Sequence, residues 1–364
     1  MLRPLIATPL LVLAAAAAFA QGGQGPDFDF EVDSFFRDEW TREIFPPPGQ
    51  AEFTNTERWR FQLRPRVTLN AGGFLAGVGG ELNTSDAENV GEIRPLLIRD
   101  NYDAEDVRLD LAYAGLEAGG FRLQAGRFFM PVGFTEMIWD RDLRPQGVTV
   151  GLMSKDASGA DRAGLTLLAT RGSHVFEDDE TEMLVGSVKL GWASGPDSSV
   201  EVTGSFVYFN DLAELEPMIR RQNSRVDGLL TDDYKVIDAV VRVRREGGLH
   251  SELVANYCWN VAADELNNGL WLAGVFGSTR TARARLEYTY ARVERDATVA
   301  AYATDDFFWG TGWEGHRVDL GVRVAQALAV HVTGQMQRFK DSPRIEEQDH
   351  WVRRIRLDVR LFID

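Results

Sequence analysis

Apolar and polar residues alternate one by one along most of this chain. In the segment 355–363, every odd position is aliphatic, and the even positions hold Arg, Asp, Arg and Phe. Successive side chains of a β-strand point to opposite faces. The pattern therefore predicts a strand with one hydrocarbon face and one mostly charged face.

The same alternation recurs more than a dozen times, for example in 59–69, 107–116, 237–244 and 317–324. The apolar faces of these segments carry no charge. In lipid, each outward Arg or Lys near the bilayer midplane would cost roughly 2–4 kcal/mol. The opposite faces hold too much charge for a dry core. We therefore predict an all-β protein, an antiparallel transmembrane β-barrel with a wet interior, because a closed barrel leaves no unpaired strand edge in lipid.

The spacing of the segments predicts about sixteen strands. Short connectors at 70–73, 117–120, 246–248, 278–281 and 325–327 alternate with longer ones. Outer-membrane barrels have short periplasmic turns and long external loops. The long connectors are predicted at roughly 84–105, 130–146, 171–181, 210–233, 260–268, 294–313 and 340–349.

The N-terminus indicates export. Arg3, an apolar run from Leu10 to Phe19 and an A-x-A sequence at 18–20 predict a signal peptide over residues 1–20. The retained-anchor alternative is weaker, because the run is short for a spanning helix of ~20 residues. Residues 21–56 form an N-terminal segment whose part 28–32 alternates and is a candidate first strand. Residues 57–364 are assigned to the barrel.

Charge and composition limit the function classes. The formal net charge of −16 argues against nucleic acid as a partner. Cys258 is the only cysteine, so the chain can form no internal disulfide. We expect no metal, no cofactor and no enzymatic activity. The G-x-G-x-x-G match at 310–315 is interpreted as a loop, because the residues after it alternate as a strand and do not open a helix.

Three other functions stay open. A lipid-hydrolysing barrel would need a His–Ser pair, with His250 or His331 as the candidate histidines. A structural or adhesion barrel would have no open pore. A soluble exported β-sandwich would show similar alternation but tolerate scattered charges on its apolar faces.

Residues 126–135 read GRFFMPVGFT, and residues 139–147 read WDRDLRPQG. This stretch resembles the "GRF…PFG…T…WD.DL.P.G" sequence of a family of bacterial porins related to the phosphate-selective outer-membrane porins. The specific similarity covers about 57–150. It implies a sixteen-strand barrel, passive uptake of small solutes, and the barrel-assembly machinery as a partner.

Such barrels usually end in Phe or Trp, whereas this chain ends Phe362-Ile363-Asp364. Porins commonly form trimers, so a homotrimer is a candidate assembly.

The connector 130–146 is the first candidate functional site. A loop of about 15 residues or more is usually functional, and one porin loop folds inward to narrow the pore. We expect 130–146 to be this constriction loop; an outward-facing external loop is the alternative. The candidate constriction residues are Trp139, Asp140, Arg141, Asp142 and Arg144.

Arginines on the wet faces are the second candidate site. Rings of Arg bias a pore toward anions, and the guanidinium fork suits carboxylate and phosphate. Alternatively, acidic residues pair with these arginines in a structural ladder without selectivity; the candidate partners are Asp110, Asp238, Glu252, Glu287, Asp319 and Asp358. The candidate pore-lining arginines are Arg60, Arg64, Arg66, Arg122, Arg242, Arg244, Arg283, Arg285, Arg317, Arg323, Arg354, Arg356 and Arg360.

Local features add two further expectations. Pro65 lies in the middle of an alternating segment, where it removes a ladder hydrogen bond, so we expect a β-bulge there. Aromatic residues on the apolar faces lie near strand ends and predict an interfacial girdle. The girdle candidates are Trp59, Trp192, Tyr208, Tyr257, Trp259, Tyr288 and Tyr290.

Overall fold

The computed structural model of the chain describes most of the predicted barrel. The predicted signal peptide and Asp364 lie outside the described residues. The described residues are 26–44, 54–85, 106–155, 161–173, 181–195, 197–212, 223–226, 229–230, 234–304, 307, 310–340 and 349–363.

The described strands close into one antiparallel barrel of sixteen, which confirms the predicted fold class and strand count. Each strand pairs with its neighbours in sequence, and the first strand pairs with the last. A small hairpin of 225–226 and 229–230 lies in the connection after the ninth strand. Numbered in chain order, the barrel strands are β1 (Asp27–Ile44), β2 (Thr54–Ala71), β3 (Phe74–Ser85), β4 (Asp106–Ala118), β5 (Phe121–Arg127), β6 (Pro145–Lys155), β7 (Asp161–Ser173), β8 (Glu182–Gly195), β9 (Ser198–Asn210), β10 (Tyr234–Arg245), β11 (Ser251–Asn260), β12 (Asn268–Gly277), β13 (Ala284–Val293), β14 (Trp313–Ala325), β15 (Leu328–Phe339) and β16 (Trp351–Ile363).

The two ends of the barrel differ in the length of their connections. Two-residue turns, 72–73, 119–120 and 326–327, join strands at one end, which we call the short-turn end. Longer connections such as 128–144, 261–267 and 294–312 join strands at the other, the long-loop end. No helix in the described part of the chain is long and apolar enough to cross a membrane.

The first strand closes the barrel. Only 28–32 was predicted, but β1 runs from Asp27 to Ile44 and pairs with β2 on one side and β16 on the other. Phe28 points outward and is 60% exposed, whereas Arg37 and Glu39 point inward and are buried. The alternation was hard to extend from sequence, because Ser34 and Asp38 interrupt the apolar side.

The outer face of the barrel is largely apolar. Leu253, Leu320 and Ile355 are each more than half exposed, while their neighbours along the strand point inward. An exposed apolar band of this kind suits contact with lipid. Five of the predicted girdle residues are exposed on this face, namely Trp59, Trp192, Tyr257, Trp259 and Tyr288. Trp192, Tyr257 and Trp259 lie near strand ends, whereas Tyr288 lies in the middle of β13 and Trp59 well inside β2.

The predicted alternation of β4 is wrong beyond Asp110. Leu111 and Tyr113 were placed on the apolar outer face, but Leu111 is fully buried and Tyr113 packs against the apolar cluster inside the barrel. A β-bulge between β3 and β4 causes the change, because their pairing shifts register between Gly79 and Gly80. One extra residue in a strand moves all later side chains to the other face.

We expected a β-bulge at Pro65, but β2 has none at this position. The pairing of β1 with β2 passes through Val32 and Pro65 without a shift. Pairing of β2 with β3 is interrupted between Leu63 and Arg66 but resumes in the same register. This interruption is consistent with a proline that offers no N–H donor.

The close contact between Gly77 and Tyr113 gives a stability prediction. A Cβ atom at Gly77 would overlap Cε1 of the Tyr113 ring. We expect Gly77→Ala to displace the ring and lower the free energy of unfolding by about 1–3 kcal/mol. The measurement is urea unfolding of the liposome-reconstituted protein, followed by tryptophan fluorescence. Gly204→Ala is the matched control, because no atom lies within 4 Å of its Cβ position. Equal stability of the two variants would contradict the packing of Tyr113 over Gly77.

Candidate functional site

The connection between β5 and β6, residues 128–144, lies inside the barrel; we name it the lumen loop. Met137 and Ile138 at its centre are 0% exposed, and Phe128 and Leu143 at its ends are also buried. These side chains belong to the same apolar cluster as inward-facing residues of β8 to β12. The lumen loop therefore packs against the barrel wall through a hydrophobic core.

A second connection, between β13 and β14, adds to this core at the long-loop end. The Tyr302 ring stacks on Trp139 of the lumen loop at 5.3 Å and on Phe209 of β9 at 5.5 Å, as measured between ring centroids. The N–H of Asp140 donates to the Tyr302 carbonyl over 2.7 Å. The N–H of Thr304 donates to the Glu136 carbonyl over 2.8 Å. The two connections thus support each other.

This apolar core corrects the expectation of a uniformly wet inner face. Near the long-loop end, the inner faces of β8, β9 and β10 carry Met183, Val185, Val207, Phe209 and Tyr234, all of which are buried. The sequence held a signal for it, because residues 206–209 are apolar without interruption. A strand that is apolar on both faces is buried on both faces. Here the inserted loops cover the inner side, and the outer side belongs to the exposed apolar surface of the barrel.

Polar bonds hold the lumen loop to the wall formed by β10, β11 and β14. The Arg242 guanidinium donates to the carbonyls of Gly133 over 3.0 Å and of Phe134 over 3.2 Å. The Arg317 guanidinium pairs with the Glu136 carboxylate at 2.9 Å. Thr135 donates to Asn256. These bonds fix the backbone of 133–136 against one side of the barrel.

The end of the lumen loop is bonded to the opposite wall. Arg64 of β2 pairs with Asp142 at 2.7 Å, and Arg144 pairs with Asp110 of β4 at 2.9 Å. The Arg144 guanidinium also lies over the Phe129 ring, 4.4 Å from its centroid. Because the loop is bonded to both walls, it crosses the barrel interior.

The five candidate constriction residues lie in one loop but in different surroundings. Trp139 is buried in the core, and the Asp140 carboxylate accepts the N–H of Asp142 over 2.8 Å. Arg144 is buried against Asp110. The Arg141 side chain is 59% exposed and pairs with Glu136. Within this set, Arg141 and Asp142 are therefore the residues that present charge to solvent.

Four arginines of β16 and β2 pair with one buried carboxylate. Glu39 of β1 is 2% exposed, and four guanidinium groups converge on it. Its carboxylate lies 2.7 Å from Arg356 and 3.6 Å from Arg354 on one side. On the other side it lies 3.0 Å from Arg58 and 3.3 Å from Arg60. We name these five residues the Glu39 cluster. Neither Glu39 nor Arg58 was among the sequence-predicted site residues.

Most other candidate arginines are also held by carboxylates. Arg360 pairs with Asp358, and Arg66 pairs with Glu31 and Asp33. Arg285 lies 2.7 Å from Asp319. Arg244 and Arg242 lie 3.0 and 3.4 Å from Glu252. Asp238 is the exception among the six predicted acidic partners. Its carboxylate accepts a hydrogen bond from the Asn256 amide over 2.5 Å, and not from a guanidinium group.

Three candidate arginines lie at the short-turn end, away from the lumen loop. Arg283 falls in the turn before β13 and not in a strand, which corrects its predicted position on a strand face. Arg122 pairs with Glu117 at 3.5 Å, and both side chains are half exposed. Arg323 donates to the Arg280 carbonyl over 2.7 Å.

A cavity of about 390 Å³ lies between the lumen loop and the wall formed by β10 to β14. Its lining mixes charged and apolar side chains. The charged residues of the lining are Glu136, Arg141, Arg144, Arg242, Glu252, Arg285, Glu287 and Arg317.

The fold is similar to that of solved porin structures. Pseudomonas putida OprB at high pH aligns with a TM-score of 0.63 and 13% identity, over 92% of this chain and 94% of that one. Salmonella typhi OmpF in complex with daunomycin aligns with a TM-score of 0.54 and 11% identity, over 92% and 97%. A mutant of Rh. blastica porin aligns with a TM-score of 0.50 and 10% identity, over 92% and 100%.

No family model matches the sequence, and the comparison with curated proteins found no match. The comparisons therefore show the fold alone, a sixteen-strand barrel similar to that of solved porins. The resemblance of 126–147 to relatives of the phosphate-selective porins stays a prediction.

Proposed function

We propose that this protein is an outer-membrane porin, a water-filled channel through which small hydrophilic solutes diffuse passively. The observation that carries the proposal is the lumen loop. It crosses a sixteen-strand barrel, is bonded to both walls, and leaves a charged cavity beside it. Barrels of this size enclose an aqueous channel in porins, and a loop fixed across the interior sets the width of the remaining passage.

The proposed setting follows from the same features. The apolar outer face makes the outer-membrane bilayer the partner of the barrel wall. The signal peptide over 1–20, delivery by the barrel-assembly machinery and assembly into a homotrimer are parts of this proposal. The long-loop end would face outward and the short-turn end would face the periplasm.

Liposome swelling with sugars of increasing size tests the channel function. We expect the reconstituted protein to admit small sugars quickly and larger ones progressively more slowly, because the lumen loop narrows the passage. Liposomes that contain the folded protein but swell no faster than protein-free liposomes would contradict a diffusion channel.

We further propose that the channel prefers anions. Five guanidinium groups and three carboxylates line the cavity beside the lumen loop. Arginine-rich linings favour anions. Positive groups outnumber negative ones within this lining, and the ion pairs of Arg144 with Asp110 and of Arg285 with Asp319 reduce the preference. Arg141, whose side chain is 59% exposed, is the cation of the lining that presents most charge to solvent.

Arg285→Gln tests this preference. Its side chain is about one-fifth exposed and lines the cavity. We expect the variant to shift the reversal potential in a potassium chloride gradient toward cation selectivity, because a pore-lining charge is removed. Arg122→Gln at the short-turn end is the matched control and should leave the reversal potential unchanged. A wild-type channel with clear cation selectivity would refute the proposed preference.

The hydrolase alternative has one structural feature in its favour. Thr279, His331 and Asp319 form a hydroxyl–imidazole–carboxylate chain, with distances of 3.1 and 2.9 Å to the two ring nitrogens. A nucleophile must contact its substrate, but Thr279 is only 7% exposed. A hydrolase also needs free N–H donors for the oxyanion. The nearby N–H groups of Arg280 and Thr281 already donate to the Ser278 hydroxyl. The geometry therefore favours a buried polar network over a catalytic site.

A further inference from the structure

Part of the inner wall beside the lumen loop is apolar. Val254 of β11 and Val275 of β12 point inward and line the cavity. Both are only half-buried, and among the described residues neither belongs to the packed core of the lumen loop. Phe134 and Met130 line the same cavity from the loop. Water-filled barrels carry polar side chains at inward positions, so this apolar wall is a local departure.

Guanidinium groups line the same cavity as this apolar wall, together with the carboxylates of Glu136, Glu252 and Glu287, and are fixed in place. Arg242 is held by two carbonyls of the lumen loop, and Arg317 lies between the carboxylates of Glu136 and Glu287. Arg285 is bonded to Asp319. Because these side chains are already immobilised, an anion that binds beside them pays little additional ordering cost.

The cavity is large enough for a small organic molecule. An apolar cavity of about 150 Å³ holds benzene, and this cavity measures about 390 Å³. The apolar part of a ligand against Val254 and Val275 would be removed from water, and its charged group would share the cavity with the arginines. Sugars and inorganic ions would gain nothing from the apolar wall.

We propose that this cavity is a binding subsite for small organic anions that carry an apolar part, such as aromatic or branched aliphatic acids. This inference rests on the proposed channel function, because it names a solute class for that channel. It adds a specific subsite to a passage that would otherwise discriminate by size and charge alone.

Block of the chloride current tests the subsite. Benzenesulfonate is the probe, since it stays charged and does not cross lipid, and gluconate is the hydrophilic anion of comparable size. We expect benzenesulfonate to block the wild-type channel at lower concentration than gluconate does. Val254→Ser with Val275→Ser should raise the half-blocking concentration of benzenesulfonate roughly three- to tenfold. This is at or below the lower limit of the roughly 10- to 200-fold effect of one methylene group in a closed hydrophobic pocket. Gluconate should be unaffected.

A control variant and a binding measurement separate the outcomes. Val254→Ile with Val275→Leu keeps the wall apolar and should retain the wild-type preference. Equal block by both anions in a conducting wild-type channel would overturn the subsite and leave the channel function standing. If the folded protein does not conduct, the channel function fails instead. Calorimetric titration of the detergent-solubilised protein with benzenesulfonate then decides the subsite alone, and absence of binding overturns it.

Discussion

Glu39→Gln is expected to lower the free energy of unfolding by about 3–5 kcal/mol, the cost of removing one partner from a buried ion cluster. The physical reason is the arrangement of the Glu39 cluster. Four guanidinium groups lie within 3.6 Å of this carboxylate, and the cluster joins β16, β1 and β2 where the barrel closes. Without the negative charge, like charges would face each other in a low-dielectric site.

Urea unfolding in liposomes and heat-modifiable gel migration measure this effect. Glu31→Gln is the matched control, because Glu31 lies on the same strand and the same face but is about 29% exposed. Its ion pairs with Arg66 and Arg280 should contribute at most about 1 kcal/mol. A Glu39→Gln protein as stable as the Glu31→Gln protein would contradict the account of the cluster.

A double variant keeps this prediction testable if Glu39→Gln alone does not assemble. Adding Arg356→Gln removes the guanidinium nearest to position 39, at 2.7 Å. We expect the pair of changes to restore part of the lost stability, because residues in one network are coupled. If Arg356→Gln destabilises the Glu39→Gln protein as much as it destabilises the wild-type protein, the two residues are not coupled and the cluster does not act as described.

Replacing residues 134–142 by a short Gly/Ser linker is expected to increase single-channel conductance several-fold. This segment supplies the bonds to Arg242, Arg317 and Arg64 that hold the lumen loop across the barrel. Its removal leaves a wider interior of the kind that sixteen strands can enclose. The measurement is stepwise current in planar bilayers, after heat-modifiable migration has shown that the variant folds.

Asp264→Ser with Glu265→Ser serves as the control for a loop that does not cross the lumen. Both residues are exposed in the connection between β11 and β12. Their loss should leave conductance close to the wild-type value. Unchanged conductance in the 134–142 variant would show that the lumen loop does not restrict the channel.

The barrel itself could be predicted from the sequence, because the evidence for it is local. In β16, aliphatic side chains such as Ile355 lie outside, and Arg356 and Asp358 lie inside, as the alternation indicates. The strand count followed from the spacing of such segments. The extent of β1 could not be predicted, since Ser34 and Asp38 lie on its outer face and break the apolar pattern.

The Glu39 cluster and the register of β4 needed the structure. Glu39 and Arg356 are 317 positions apart and meet only because the ends of the barrel pair. The bulge beside Gly79 and Gly80 moved Tyr113 to the inner face, and glycines alone do not indicate which strand will shift. The sequence therefore assigned the faces correctly where pairing is regular and failed where one residue was inserted.

The anchoring of the lumen loop also depends on contacts between distant positions. Arg242 and Gly133 are 109 positions apart, and Arg317 and Glu136 are 181 apart. The family resemblance and loop length pointed to 130–146, but neither indicated its partners. The apolar core around Met137 was missed because charged inner faces elsewhere suggested a uniformly wet interior.

Single-channel recording of the purified wild-type protein in planar bilayers tests the central claim most directly. A water-filled channel narrowed by the lumen loop predicts discrete current steps of uniform size whose conductance rises with salt concentration. Folded, heat-modifiable protein that inserts into the bilayer without producing such steps would contradict the proposal and indicate a barrel without an open pore.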